Sequence, residues 1–135
     1  GPGGTMSTLG ELLGFEKTLL GVDMVQKGGI VLRDCSEQDI LKYLEVNQGK
    51  HVKIAVSPIG GQGFFLGRGN LQISPRVVRK VGIDDIIVLS TPHKLESTKI
   101  LRVDTGDHAL DSEIRSRGVL KVLVGYRSYR LVKIE

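Results

Sequence analysis

The hydrophobic pattern of this chain predicts short strands interspersed with short helices. Val52, Ile54 and Val56 alternate with Lys53 and Ala55, which predicts a strand at 52–57 with one buried face. Apolar runs without interruption are typical of strands that are buried on both faces. Further strands are predicted at 18–25, 30–33, 86–89, 100–103, 119–124 and 129–134, and the first two of these would form a hairpin around a turn at 26–29.

Capping residues and glycines mark the helices. A Ser or Thr followed three residues later by an acidic residue is typical of a capping box, and Pro is favoured at the first helical position. These signals predict helices at 6–14 with Thr8 and Glu11 as a capping box, after Ser36 with Asp39, at 75–81 after Ser74 with Pro75, and at 107–117 before Gly118. The mixture predicts an α/β (mixed α+β) fold, a β-rich sheet or sandwich with about four short helices, in a single domain covering 1–135.

Composition restricts the class of protein. Hydrophobic residues make up 40% and charged residues 25% of the chain, as in ordinary globular domains. No apolar run approaches the roughly 20 residues that span a bilayer, so we expect a cytoplasmic protein without a membrane partner. The single cysteine, Cys35, excludes an internal disulfide and a Cys-based zinc site and is interpreted as structural. His51 and His108 have no neighbours in sequence that would complete a metal site, and we predict no metal-binding residues.

Charge and aromatic content bear on the ligand. The chain has 19 basic and 15 acidic residues and a net charge of +4, which suits an anionic ligand. Aromatic residues make up only 4% of the chain and there is no Trp, so few side chains are suited to stacking on bases. This composition disfavours a nucleic-acid partner.

The segment 60–70 carries the strongest functional signal. It contains five glycines, which let phosphate approach backbone N–H groups closely, and it contains Arg68, whose guanidinium binds phosphate well. It lacks the Gly-Lys-Ser/Thr ending of a Walker loop and the spacing of a dinucleotide fingerprint. The residues alone leave two interpretations open with equal weight: a phosphate-binding loop, or a glycine-rich hairpin that bends the chain.

Two further polar positions each have a functional and a structural interpretation. Asp104 follows a predicted strand and could hold a ribose hydroxyl, but capping of the next helix by Thr105 or Asp107 better explains this segment. His93 lies in a predicted loop, and three interpretations stay open for it: a general base, a phosphate contact or a merely solvated side chain. The basic residues near the C-terminus are expected on a solvent-facing surface; they are Lys121, Arg127, Arg130 and Lys133.

Four segments resemble signatures of the ATP-NAD kinase/AcoX-like family, and they follow one another in the same order as in the family. They lie at 18–23, 57–75, 92–95 and 103–107. Within them, 57–64 resembles the family's Thr-Pro-Thr-Gly-Ser-Thr-Ala-Tyr stretch, which helps to bind NAD. Pro58 and Gly60 match that stretch, and most other positions differ.

The resemblance implies the C-terminal, nucleotide-binding domain of an enzyme that transfers a phosphoryl group from ATP or polyphosphate to the 2′-hydroxyl of NAD. It implies ATP, NAD and Mg as cofactors of that enzyme and nucleotide substrates as partners. Contacts to nucleotide or phosphate are then assigned to Gly60, Gly61, Gly63 and Arg68, with Asn70 and Asp104 as ribose or other polar contacts.

The family's Gly-Gly-Asp-Gly-Thr motif, whose aspartate activates the ribose hydroxyl, has no counterpart in this sequence. The segment 1–5 resembles a later glycine loop of the family, with Pro2 where an aspartate would be needed. We therefore expect a separate N-terminal domain to carry the catalytic residues, and we expect no NAD kinase activity from this chain alone.

Two other functions stay open at this point. One is an AcoX-like, kinase-related protein that acts on a different substrate. The other is a basic nucleic-acid-binding module, which predicts salt-sensitive binding to oligonucleotides. Either would be compatible with a homo-oligomer.

Overall fold

A computed structural model describes residues 1–27 and 29–135 of this chain. The described residues form five α-helices, eight strands and a short 3-10 helix at Ile83–Asp85. The helices are α1 (Gly4–Leu12), α2 (Glu37–Val46), α3 (Pro75–Val81), α4 (Pro92–Ser97) and α5 (His108–Arg115). The strands are β1 (Met24–Gln26), β2 (Gly29–Leu32), β3 (Ile54–Val56), β4 (Phe64–Leu66), β5 (Ile86–Leu89), β6 (Ile100–Val103), β7 (Val119–Gly125) and β8 (Ser128–Ile134).

Six of these strands form one mixed sheet in the order β3-β5-β7-β8-β6-β4. The antiparallel hairpin β7–β8 occupies its centre, and every other neighbouring pair is parallel. Strands β5 and β3 therefore lie on one side of this hairpin, and β6 and β4 lie on the other. Strands β1 and β2 form a separate antiparallel pair. The predicted mixed α+β class is confirmed.

One hydrophobic core joins the sheet to the helices. Its most buried side chains include Phe65 and Leu66 of β4, Leu101 of β6 and Val122 of β7, all without exposed surface. Leu110 and Ile114 of α5 and Val77 and Val78 of α3 complete the same cluster. Because β4 lies inside the glycine-rich segment, burial of its side chains fixes where that segment lies. None of the described helices has the length and apolar character that crossing a membrane requires.

Two predicted helix starts are confirmed in atomic detail. The Ser36 hydroxyl accepts the Asp39 N–H, and the Asp39 carboxylate accepts the Ser36 N–H, which is a complete capping box. The Ser74 hydroxyl accepts the Val77 N–H at 3.3 Å, with Pro75 at the first helical position as predicted. Local side-chain chemistry therefore determined both helices.

The capping box predicted at Thr8 and Glu11 is wrong. Helix α1 already begins at Gly4, so Thr8 lies inside it, and its hydroxyl donates to the Gly4 carbonyl at 3.1 Å. The helix is entered from Gly3 at φ +105°, without a side-chain cap. A glycine entry leaves no capping signal in the sequence, which explains the error.

Three other local predictions are corrected. Of the strand predicted at 18–25, only Met24 and Val25 lie in a strand, β1, which continues to Gln26. The hairpin with β2 is confirmed, but Gln26 and Gly29 of its predicted turn pair with each other as strand residues. Gly28 of that turn lies outside the described residues. Strand β4 was not predicted, because only three residues separate Gly63 from Gly67. His93 lies in helix α4 and not in a loop, since Thr91 caps that helix by accepting the Lys94 N–H.

Candidate functional site

The glycine-rich segment borders a cavity of about 410 Å³. Its walls come from parts of the chain that are distant in sequence: 1–3, 57–60, 68–70 and Lys94. Strand β3 leads into 57–60, β4 precedes 68–70, and α4 carries Lys94. The cavity therefore lies where two ends of the glycine-rich segment meet the entrance to helix α1.

Two glycines of the segment are required by the fold. Gly63 and Gly67 flank β4 with φ of +82° and +88°. A Cβ atom at Gly63 would overlap the Ile100 carbonyl oxygen, and one at Gly67 would overlap the Asp104 carbonyl oxygen. The backbone of β4 thus lies against β6, where the Gly63 carbonyl accepts the Arg102 N–H at 2.8 Å. Close approach of a strand, and not of a ligand, explains these two glycines.

The other glycines of the segment face open space. The nearest atom to a Cβ at Gly60 would be Lys94 Cγ at 3.9 Å, and at Gly69 it would be Ile59 Cδ1 at 4.0 Å. Both glycines line the cavity. Nothing lies within 4 Å of a Cβ at Gly61, but its N–H already donates to Thr98 Oγ1 at 3.1 Å. Gly60 and Gly69 therefore remain the glycines best placed for a ligand.

Asn70 lies in the cavity wall and holds the segment in shape. Its side chain is buried, its Oδ1 accepts the Gly67 N–H at 3.1 Å, and its Nδ2 donates to the Phe65 carbonyl at 2.9 Å. Both ends of the amide are used within the segment. The predicted polar residue is thus placed at the cavity, where it positions the backbone.

Arg68 and Asp104, both predicted at the site, contact each other. The Arg68 Nη2 and Nε donate to Asp104 Oδ2 at 3.1 and 3.3 Å, and the guanidinium lies 4.1 Å from the centre of the Phe64 ring. The side chains are 52% and 50% exposed. An exposed pair of this kind contributes little to stability, about 0–1 kcal/mol. Arg68 therefore borders the cavity, and its ion pair with Asp104 is weak.

Lys94 is a charged cavity residue that the site prediction omitted, as it omitted Ser57 and Gly69. Its Nζ donates to Thr5 Oγ1 at 2.9 Å and to Ser57 Oγ at 3.0 Å. Within residues 1–27 and 29–135, no carboxylate lies within ion-pair distance of this ammonium. Burial lowers the pKa of Lys94 below its usual value. The only signal in the sequence was its place in the family-like segment 92–95.

The segment that follows Asp104 has a structural role. Asp107 caps α5 by accepting the Leu110 N–H at 2.9 Å, and with Arg79 this contact lowers the pKa of Asp107 below its usual value. The buried Asp111 accepts the Thr105 N–H and hydroxyl. The capping interpretation is confirmed.

The remaining candidates lie outside the cavity. His93 is almost fully exposed and faces Glu96 at 3.7 Å, and His51 contacts Asp85 at 2.8 Å. Cys35 is buried in the core, and the four basic residues near the C-terminus are exposed as expected. In the described part of the chain, no three His, Cys, Asp or Glu side chains come together as a metal site would require.

A second cavity, of about 240 Å³, lies beneath α1 and is lined mainly by apolar side chains. Lys17 and Asp23 border it and lie 3.6 Å apart, both nearly fully buried. Lys17 Nζ donates to the carbonyls of Thr18 and Gly21, and the Asp23 carboxylate accepts the N–H groups of Thr18 and Asp34. Burial alone would raise the pKa of Asp23, but these N–H donors and Lys17 lower it below its usual value. The pair thus fastens the segment 17–23 to the core.

Among curated proteins and among solved structures, nothing matches this chain. A family model, described as the ATP-NAD kinase C-terminal domain, matches residues 1–134. That match covers all but the last residue, and it includes the cavity and the whole glycine-rich segment. The chain therefore belongs to the family of the ATP-NAD kinase C-terminal domain.

Proposed function

We propose that this domain supplies the nucleotide-binding part of an NAD kinase-type phosphotransferase, which moves a phosphoryl group from ATP or polyphosphate to the 2′-hydroxyl of NAD. Membership of the family supports the reaction class. The cavity beside the glycine-rich segment is the proposed place where this domain contacts its nucleotide.

The observation that carries the proposal is the chemistry of the cavity wall. Lys94 and Arg68 contribute positive charge there, Gly60 and Gly69 leave space beside the backbone, and hydroxyls of Thr5 and Ser57 lie at the Lys94 ammonium. Basic side chains, hydroxyls and open backbone are the groups that bind phosphate. Phosphoryl transfer depends mainly on such positioning and on neutralisation of charge.

NAD kinases use ATP and NAD together with a metal ion. The cavity offers donors that suit the phosphates of either nucleotide. Among the described residues, no three His, Cys, Asp or Glu side chains come together, so they form no metal site built from protein side chains alone. We therefore assign this domain to binding and orienting a nucleotide.

The test is a binding measurement combined with an activity measurement. Titration of the chain with NAD and with ATP, followed by NMR, should shift resonances of 57–60 and 68–70. A protein that joins this domain to a separate N-terminal catalytic domain should form NADP from NAD and ATP, and the chain alone should form none.

Failure of both nucleotides to bind, together with absence of NADP formation by the joined protein, would reject the proposal. Phosphorylation of a different acceptor by the joined protein would instead identify an AcoX-like enzyme. Salt-sensitive binding of oligonucleotides by the chain, without nucleotide binding, would identify a nucleic-acid-binding module.

A further inference from the structure

We infer that Lys94 and Ser57 in the wall of the 410 Å³ cavity, with Thr5 beside it, form a phosphate-binding site for the pyrophosphate or terminal phosphate of a nucleotide. The inference deepens the proposed function and rests on it. It adds three residues that neither the glycine-rich segment nor the family match singles out.

The count of hydrogen-bond donors supports this site. A lysine ammonium has three N–H donors, and Lys94 uses two of them on the hydroxyl oxygens of Thr5 and Ser57. Because both hydroxyls accept from Lys94, their own hydrogens point away from it. Neither hydroxyl donates to another group in the described part of the chain. One N–H and two O–H donors are thus left for a single anion.

The charges around these donors have the required sign. No carboxylate in residues 1–27 and 29–135 lies within ion-pair distance of Lys94, and the other charged side chain in the cavity wall is Arg68. Thr5 lies in the first turn of the nine-residue helix α1, whose N–H groups and dipole add partial positive charge. Lys94 is partly buried and has no counter-charge within ion-pair distance, and a bound phosphate would supply one.

A purely structural role would have a different consequence. Lys94 joins the entrance of α1 to Ser57 at the end of β3, so it could serve only to hold these two segments together. In that case removal of its charge would lower thermal stability and leave anion affinity unchanged. Phosphate binding predicts instead that removal of the charge weakens anion affinity more than it lowers thermal stability, because the ammonium is the strongest donor of the set.

The experiment measures pyrophosphate binding to the chain by isothermal titration calorimetry. Lys94→Gln should raise the dissociation constant about tenfold or more, as expected for loss of a charge-assisted hydrogen bond. Lys99→Gln is the matched control, since Lys99 is exposed and lies five residues away outside the cavity. It removes the same charge and should leave affinity within about twofold. Ser57→Ala, which keeps the ammonium, should weaken binding by a smaller factor of about three to tenfold.

The outcomes separate this inference from the proposed function. Equal pyrophosphate affinities for wild type, Lys94→Gln and Ser57→Ala would overturn the site, as would equal losses for Lys94→Gln and Lys99→Gln. If Lys94→Gln does not fold, the result for Ser57→Ala decides. Wild-type binding of NAD without any binding of pyrophosphate would reject the site and leave the proposed function standing. Lys94-dependent binding of pyrophosphate by a chain that binds neither NAD nor ATP, with no NADP formed by the joined protein, would support the site and reject the proposed function.

Discussion

Replacement of Gly67 by alanine separates the glycines that the fold needs from those available to a ligand. At φ +88° an L-residue is strained by about 1–2 kcal/mol. The new Cβ would also overlap the carbonyl group of Asp104 and lie 2.7 Å from the Thr105 nitrogen, and all of these atoms are backbone. No flexible side chain can move aside, so β4 must separate from β6.

The cost of that separation follows from the contacts it breaks. The hydrogen bond from the Asp104 N–H to the Leu66 carbonyl, at 3.2 Å, is worth about 1 kcal/mol. Leu66 and the neighbouring Phe65 have no exposed surface, so movement of β4 also loosens the core. The lost hydrogen bond, the loosened core and the backbone strain together should lower the free energy of unfolding of Gly67→Ala by about 3–5 kcal/mol. That is a large share of the roughly 5–15 kcal/mol typical of a domain.

Gly69→Ala is the matched control for this prediction. Gly69 has a similar φ of +77°, but the nearest atom to its Cβ would be a side-chain carbon 4.0 Å away. Only the backbone strain of about 1–2 kcal/mol is expected there. Urea denaturation followed by circular dichroism measures both values. Equal losses of stability in the two variants would refute the argument that Gly67 is required by the pairing of β4 with β6.

Two further predictions concern charged residues. Arg68→Ala should raise the dissociation constant for nucleotide about tenfold, through loss of a charge-assisted hydrogen bond to phosphate. Because its pair with Asp104 is half-exposed, the free energy of unfolding should fall by less than about 1 kcal/mol. Asp23→Asn should lower that free energy by about 3 kcal/mol at pH 7, since it leaves the buried Lys17 unpaired. The folded-state pKa of Asp23 lies below its ordinary 3.8, so this stabilisation is present above pH 3.8 and is lost as the pH falls through the folded value.

Each of these predictions has its own control. Asp104, predicted as a polar contact, does not line the cavity. Asp104→Asn keeps the Arg68 guanidinium and removes its internal partner, so it should not weaken nucleotide binding; calorimetry compares the two variants. Unchanged affinity with a clearly lower melting temperature in Arg68→Ala would assign that residue to the structure of the loop. For Asp23, urea denaturation at pH 7 and near pH 3 compares wild type with variant. A stability difference that does not shrink at the lower pH would contradict the role of its carboxylate.

Local sequence determined the elements whose signals act over a few residues. The capping box of Ser36 with Asp39 placed one helix, and the Ser74 cap followed by Pro75 placed another, because a cap is satisfied by N–H groups two or three residues away. The unbroken apolar run at 86–89 and the largely apolar segment 100–103 placed β5 and β6 with their observed bounds. The family-like segments, in their order, indicated the family that the match over 1–134 establishes.

Only the tertiary structure decided which role each glycine of the glycine-rich segment has and which residues form the site. No local pattern could show that Gly63 and Gly67 are needed by a strand some 37 residues away in sequence, because the conflict is between two backbones that meet only in the folded sheet. Likewise, Lys94 is separated from Thr5 by 89 residues and from Ser57 by 37. The sequence determined which local elements form, through hydrogen bonds and periodicity. Packing of the sheet decided which of their side chains share a cavity, since that depends on contacts between distant parts of the chain.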